Sequence, residues 1–216
     1  MNFLQLLKAK RLQIKGQKFL TSGKIEKAHG IFQKVVLIDN STENLFNLAL
    51  SFMGLVRYSE AEGYLRKIKE NFPDHELNTL TLAECLIMQK KWDEAIKFYE
   101  KASQINPCSE AYKKYVAIAK DVVAREKYVK SKEFFQEAIE ELRCKNDEKA
   151  LKIMQEANEY FPRNPNILNN IGTIYLNLKK YKPAYSYFAK AISLDPENKK
   201  FQKNLLTAKR KIKIKY

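Results

Sequence analysis

The sequence predicts an all-α fold built from stacked helix pairs, and three observations support this prediction. The chain has only 6 Gly and 6 Pro but 12 Tyr and 12 Phe among its 216 residues, which argues against disorder and against a turn-rich β fold. Apolar residues recur at spacings of three and four within short segments that are closed by a proline. These segments return with a period of 34 residues, which is typical of a repeat architecture.

The clearest copy of the repeat spans residues 165–198. Positions 4, 7, 8, 11, 17, 20, 24, 27 and 32 of its frame hold, in order, Leu168, Ile171, Gly172, Tyr175, Tyr181, Ala184, Phe188, Ala191 and Pro196. This order of large, small and helix-stopping residues resembles the tetratricopeptide repeat (TPR) family. The resemblance implies a right-handed α–α solenoid whose concave face is built from the first helix of each pair.

Four further copies precede this one and bring the expected number of repeats to five. They span about 9–41, 42–75, 76–109 and 131–164, and the first of them is one residue short. Each copy has two apolar stripes separated by a short turn. Small residues at positions 8 and 20 should let the two helices of a pair approach closely, while large residues at positions 4, 11, 17 and 24 fill the interior and reach the next pair.

The period breaks once, because 21 extra residues lie around 110–130. This segment has no Gly or Pro and keeps a helical rhythm, so it is expected to be a separate inserted helix, or a backward extension that makes 110–143 one long or kinked helix. We favour the extension. The predicted blocks are then 1–109, with the first three repeats, and 131–216, with the last two.

A basic helix is predicted over 199–213, after the last repeat. Its apolar residues recur at spacings of four, three and four, and they are Phe201, Leu205, Ala208 and Ile212. Such a stripe suits a capping helix that covers the last apolar face of a stack.

No catalytic, cofactor or metal site is recognisable. Glycine-rich phosphate loops are missing, and the three cysteines and two histidines form no cluster with ligand spacing. Cys85 is expected to be a small buried residue, and His29 and His75 are expected to be surface residues. Without a recognisable signal peptide or a run of about 20 apolar residues, we expect a cytoplasmic, non-enzymatic protein with reduced thiols.

The resemblance also implies that partners bind along the concave face, at positions 2, 5, 9, 12 and 13 of each repeat. These positions are apolar in the middle of the chain, and a large exposed apolar patch is usually covered by something. The candidates are a peptide or helix of a partner, a second copy of the chain, or segment 110–130 folding back. The predicted groove comprises Phe46, Leu50, Met53, Leu77, Leu80, Glu84, Ile87, Met88, Phe135, Ile139, Asn169 and Thr173.

One specialised TPR activity, the capture of chaperone tails, is disfavoured. Members of that subfamily hold a terminal carboxylate with Lys at position 5 and Asn at position 9 of the first repeat. This chain has Gln13 and Gln17 there, although Asn47 matches an asparagine that the clamp uses in its second repeat.

The net charge of +15 is confined to the two ends of the chain. Residues 1–34 hold eight basic residues and one acidic residue, residues 199–216 hold eight basic residues and no acidic one, and residues 35–198 are net neutral.

The leading hypothesis is a scaffold or adaptor with an apolar groove. The alternatives are docking on an acidic partner, an anionic membrane or nucleic acid through the basic ends, and self-association into an assembly. Nucleic acid is the least favoured, because the aromatic residues occupy core positions. The basic ends comprise Lys8, Lys10, Arg11, Lys15, Lys203, Lys209, Arg210, Lys211 and Lys213.

Overall fold

The computed structural model describes residues 3–214, apart from the side chain of Ile214. Residues 1, 2, 215 and 216, which the predicted blocks include, lie outside the described residues. Within the described range the chain forms twelve consecutive α-helices, which confirms the all-α fold. They are α1 (Phe3–Thr21), α2 (Ile25–Val36), α3 (Thr42–Gly54), α4 (Tyr58–Asn71), α5 (Glu76–Met88), α6 (Trp92–Ile105), α7 (Glu110–Lys120), α8 (Val122–Arg143), α9 (Asp147–Tyr160), α10 (Pro165–Asn177), α11 (Tyr181–Leu194) and α12 (Lys199–Ile214).

Five helix pairs correspond to the five predicted repeats. They are α1–α2, α3–α4, α5–α6, α8–α9 and α10–α11, and the helices of each pair are joined by a turn of three residues. In every turn the N–H of the last residue donates to a carbonyl five residues earlier, as Lys180 does to Tyr175 at 2.9 Å. This bond is typical of the Schellman motif, which satisfies the carbonyls at the end of the first helix.

The middle residue of each of these turns has a left-handed backbone. Gly23 has this conformation in the first pair, and non-glycine residues adopt it with φ between 57° and 62° in the other four, namely Val56, Lys90, Lys145 and Lys179. All five occupy position 15 of the repeat frame. The left-handed backbone is therefore kept at position 15 of every repeat, even in the four repeats that have no glycine there.

Within a pair, the helices approach closely at the positions where the sequence places small residues. Ala28, Ala61, Ala95, Ala150 and Ala184, all at position 20, are completely buried. At position 8, a Cβ added to Gly16 would lie 2.6 Å from the ring of Phe32, and one added to Gly172 would lie 2.7 Å from the ring of Phe188. The small side chains are therefore required by the separation of the helices.

The described chain divides into two compact units, one up to Val122 and one from Val123 onward. The first unit contains three helix pairs and the single helix α7. Ile118 and Ala119 of α7 are buried, and Tyr115 stacks on Tyr99 of α6 with ring centroids 5.6 Å apart. Helix α7 therefore packs on α6 as another first helix would, and ends the first unit.

Our preferred form of the segment around 110–130 is wrong. The structure has no continuous helix over 110–143, because Asp121 adopts an extended backbone (φ −82°, ψ 119°) between α7 and α8. The first 11 residues form α7, and the remainder begins the 22-residue α8. The predicted boundaries of the two repeat blocks stay a prediction.

The second unit contains two helix pairs and the predicted capping helix. Its core joins α8, α9 and α10 through buried residues that include Ala138, Met154 and Ile171. On α12, Phe201 packs with Leu168 and Ala191. The same helix places Ala208 against Ala184 and Phe188, so α12 covers the last pair as the sequence predicts.

Candidate interaction surface

An apolar strip follows α3 and α5 in the first unit. It consists of six of the predicted groove residues: Phe46, Leu50, Met53, Leu77, Leu80 and Met88. Leu77 is 52% exposed, and the other five are half-buried. The members on α3 are separated by four and three residues and so lie on one helix face. The ring of Phe46 also lies 6.2 Å from that of His75, the residue before α5.

The strip is bordered by polar residues on α1 and α3. Glu43 lies one turn before Phe46 on α3, and its carboxylate accepts a hydrogen bond of 3.4 Å from Gln17. The same carboxylate lies 3.8 Å from the ammonium group of Lys10. The border toward α1 is thus occupied by paired charges, whereas the six strip residues are apolar.

Two predicted groove residues are not accessible. Ile87 is 1% exposed although it occupies a first-helix position expected to face a partner. Asn169 is 2% exposed, and its Oδ1 accepts a hydrogen bond of 2.9 Å from Asn204 of α12. Both residues belong to the interior of their units, and their assignment to an exposed groove is wrong.

The remaining predicted residues of the second unit face its interior or its own backbone. Phe135 and Ile139 are partly buried and pack against the core of the second unit. Thr173 donates its hydroxyl to the carbonyl of Asn169 at 3.0 Å. In the first unit, Glu84 is half-buried on α5, one turn after Leu80. Among the predicted apolar groove residues, Leu77 of the first unit is the one that is more than half exposed, while Phe135 and Ile139 are half-buried like the other five residues of the strip.

Asn47 of α3 was not predicted as a groove residue, but its side chain carries a buried donor without a partner among the described residues. Asn47 follows Phe46 on α3, is largely buried, and its Nδ2 donor has no hydrogen-bond partner within residues 3–214. An unpaired buried donor is costly in the free protein. The sequence signal for this position is the asparagine itself, which also matches the carboxylate clamp.

The expectation that His29 is a surface residue is wrong. Its side chain is buried, packs edge-on against Phe52 with ring centroids 4.4 Å apart, and lies 3.0 Å from the hydroxyl of Ser51 through Nδ1. Because the Ser51 hydroxyl donates to the carbonyl of Leu48, Nδ1 of His29 is the donor to Ser51. His29 therefore joins α2 to α3. His75 caps α5 instead, accepting a hydrogen bond from the Asn78 N–H.

Acidification is expected to destabilise the first unit through His29. Burial, together with the positive charge of Arg57, lowers the pKa of His29. The unfolded chain, whose histidine pKa is about 6.5, then binds the proton more tightly than the folded chain does. The free energy of unfolding should therefore fall as the pH decreases from about 7.5 to about 5.5, as measured by urea unfolding. The His29→Gln variant should lose this part of the dependence, and an unchanged profile would contradict the assignment.

Cys85 is buried, as predicted, and unsuited to act as a nucleophile. Burial raises the pKa of its thiol to about 12, and the thiol donates to the carbonyl of Tyr58 at 3.0 Å. Nearby, burial alone would raise the pKa of Glu62, but hydrogen bonds from Lys91, Arg66 and Gln89 outweigh it and the pKa is lowered. Both groups join neighbouring helices and have structural roles.

The cations predicted at the basic ends are exposed on the two terminal helices. Lys8, Lys10, Arg11 and Lys15 lie on α1, and the other five lie on α12.

Within residues 3–214, no group of three or more His, Cys, Asp or Glu side chains is arranged to hold a metal ion. None of the helices in that range has the length and apolar character needed to cross a membrane.

Two sequence families match parts of the chain. The profile described as "Anaphase-promoting complex, cyclosome, subunit 3" matches residues 21–102, which include the apolar strip. The tetratricopeptide repeat profile matches residues 165–198, the copy in which the sequence pattern is clearest.

Two relatives align with most of the chain. One is anaphase-promoting complex subunit 3 of Schizosaccharomyces pombe, 25% identical over 91% of this chain and 36% of its own length. The other is the BBSome complex member BBS4 of Bos taurus, 25% identical over 84% of this chain and 31% of its own length. The chain therefore spans about a third of the length of the curated relatives it matches.

Two solved structures contain chains that are similar to this one. The chain is similar to one in the APC/C hetero-tetramer Cut9–Hcn1, with a TM-score of 0.50, 14% identity, and coverage of 93% of this chain and 42% of that one. It is also similar to TTC0263, a TPR protein of Thermus thermophilus, with a TM-score of 0.47, 16% identity, and coverage of 93% and 98%.

TPR proteins are protein-interaction modules and are typically non-enzymatic scaffolds, and the names of both relatives describe members of multi-protein complexes. With five helix pairs in a 34-residue frame and a matching repeat profile over 165–198, the chain contains tetratricopeptide repeats and is distantly related to anaphase-promoting complex subunit 3 and BBS4.

Proposed function

We propose that the chain is a scaffold whose first unit binds a segment of a protein partner along the apolar strip. The observation that supports this proposal is the row of incompletely buried apolar side chains on α3 and α5, with Leu77 52% exposed at one end. Covering this row would remove apolar surface from water, at about 25 cal/mol for each Å². The paired charges of Lys10 and Glu43 at its border would limit where the segment can lie.

Asn47 favours an extended partner segment over a helical one. Asn47 directly follows the strip residue Phe46 in the sequence, and its buried Nδ2, which has no hydrogen-bond partner among residues 3–214, needs an acceptor. The backbone carbonyls of an extended peptide are free to accept, whereas those of a helix are already bonded within the helix. The proposed partner is therefore an extended segment with apolar side chains.

The Leu50→Asp/Leu80→Asp double variant is expected to lose its partner. Two carboxylates in the strip would have to be desolvated on binding, so capture from the native cell should fall to background, as measured by affinity purification and mass spectrometry. The matched control is Leu37→Asp/Phe72→Asp, which alters two exposed apolar residues outside the strip and should retain the partner. Circular dichroism would verify that both variants keep their helices.

Other outcomes of the same measurements are informative. Equal capture by both double variants would place the binding site elsewhere. A mass in solution that rises with concentration, and that the strip variant abolishes, would instead identify the occupant as a second copy of the chain. Loss of capture in Asn47→Leu would support an extended segment, and unchanged capture would favour a helix.

A further inference from the structure

The outer face of α1 combines exposed apolar side chains with cations. The packed side of this helix is marked by its buried residues Ala9, Gln13 and Gly16. At 100° per residue, the opposite side holds a different set of residues. Its apolar members are Phe3, Leu4, Leu7 and Ile14, which are 72%, 73%, 41% and 45% exposed.

Four cations share this side of the helix. Lys8, Arg11, Lys15 and Lys18 are all exposed, and none of them forms an ion pair with a carboxylate among residues 3–214. Helix α1 itself contains no acidic residue. Lys10, at the edge of this side, differs because it lies 3.8 Å from Glu43. The four cations and the four apolar residues together are called the α1 face.

We propose that the α1 face docks the protein on an anionic lipid surface. In this arrangement Phe3, Leu4 and Leu7 enter the boundary between headgroups and acyl chains, while the cations of the next turns lie among the lipid phosphates. A helix with Phe and Leu beside Lys and Arg is the composition that binds such an interface, and each cation near an anionic leaflet adds to the attraction. This surface is separate from the apolar strip of α3 and α5.

Charge distinguishes a lipid surface from a second copy of the chain. Two α1 faces brought together would oppose eight cations without any acidic residue between them, which is strongly unfavourable. Nucleic acid would satisfy the cations but would leave the apolar side chains without a role, because phosphate contacts need only cations and polar groups. An anionic bilayer accommodates both components.

Helix α12 provides an internal comparison within the same protein. It is also basic and has no acidic residue, but Leu206 is the only large apolar residue prominently exposed among its described positions. If charge alone were sufficient, α12 would bind anionic vesicles as well as α1 does. The proposal instead requires the apolar residues of α1.

The test is co-sedimentation of the full chain with vesicles of phosphatidylcholine, with and without phosphatidylserine. We expect binding to the anionic vesicles that is at least about tenfold stronger than to the neutral ones and that weakens as salt is added. No binding to anionic vesicles, or equal binding to both kinds, would overturn the proposal.

Two variants then separate the apolar contribution from the charge. Phe3→Ser/Leu4→Ser/Leu7→Ser keeps the net charge and should weaken anionic-vesicle binding about a hundredfold, and Arg11→Gln/Lys15→Gln should weaken it about tenfold or more. The control Leu206→Ser on α12 should bind like the wild type. Because all of these positions are exposed, each variant should keep the wild-type unfolding temperature. Wild-type binding by the triple variant would overturn the proposal and leave only a charge-driven surface.

Discussion

Replacing Phe201 by alanine is expected to lower the free energy of unfolding of the second unit by about 3–5 kcal/mol. Phe201 is 2% exposed and packs with Leu168 and Ala191. Removing its ring would leave a cavity between α12 and the last helix pair, so the cap would no longer cover the end of the core. Chemical denaturation followed by circular dichroism would measure the loss.

Leu206 is the matched control for this prediction. It lies on the same helix but is 52% exposed, and its replacement by alanine should change the free energy of unfolding by no more than about 0.5 kcal/mol. If both variants destabilised the protein equally, the effect would come from helix α12 itself and the packing of Phe201 would not be its cause.

The Gly172→Ala variant is expected to destabilise the protein by about 1–3 kcal/mol. Alanine is the better helix former by about 1 kcal/mol, so propensity alone predicts the opposite sign. The new methyl group, however, would lie 2.7 Å from the ring of Phe188, which is completely buried. The helices of the last pair would have to separate, and the melting temperature should fall.

Two comparisons test the steric cause. Gly63 in α4 has no atom within 4 Å of an added Cβ, so Gly63→Ala should stabilise the protein by roughly 0.5–1 kcal/mol. The Gly172→Ala/Phe188→Leu double variant should recover part of the stability, because the second repeat holds alanine and leucine at the same two positions, Ala49 and Leu65. Absence of any recovery would contradict a clash with the ring.

The helix pairs could be predicted from the sequence because the frame specifies residue volume at fixed positions. Alanine at position 20 and Gly172 at position 8 indicate that the two helices of a pair approach closely. The apolar spacing on α12 indicates that this helix covers the apolar face of the last pair. The capping helix was predicted on the same basis, from the spacing of Phe201, Leu205 and Ala208.

The end of α7 could not be predicted in this way. No glycine or proline lies at the break between α7 and α8, and the helical spacing of the apolar residues continues across it. Asp121 is the residue at the break, and aspartate is favoured before the first turn of a helix, but a single aspartate is too common to carry such a prediction. The two helices become evident only once α7 is seen to pack on α6.

Exposure on the first helices was also only partly predictable. Met53 and Ile87 both occupy position 12, yet one is half-buried and the other is buried. The position in the repeat predicts the direction in which a side chain leaves its own helix. Its exposed fraction also depends on how neighbouring helices pack over it, and the repeat pattern does not predict that packing. His29 is a related case, because its burial depends on Phe52 and Ser51 of the next pair.

The three-residue turns with a left-handed middle residue restrict where the chain can gain or lose residues. One residue added to such a turn would disrupt the hydrogen bond from its last N–H to the carbonyl five residues earlier and so change the direction in which the second helix leaves the first. Between pairs the lengths do vary: five residues join α2 to α3, whereas four join α4 to α5. The 21 additional residues likewise follow a completed pair, after Pro107. Within this chain, differences in length therefore fall between the pairs, while the turn inside each of the five pairs keeps its three residues.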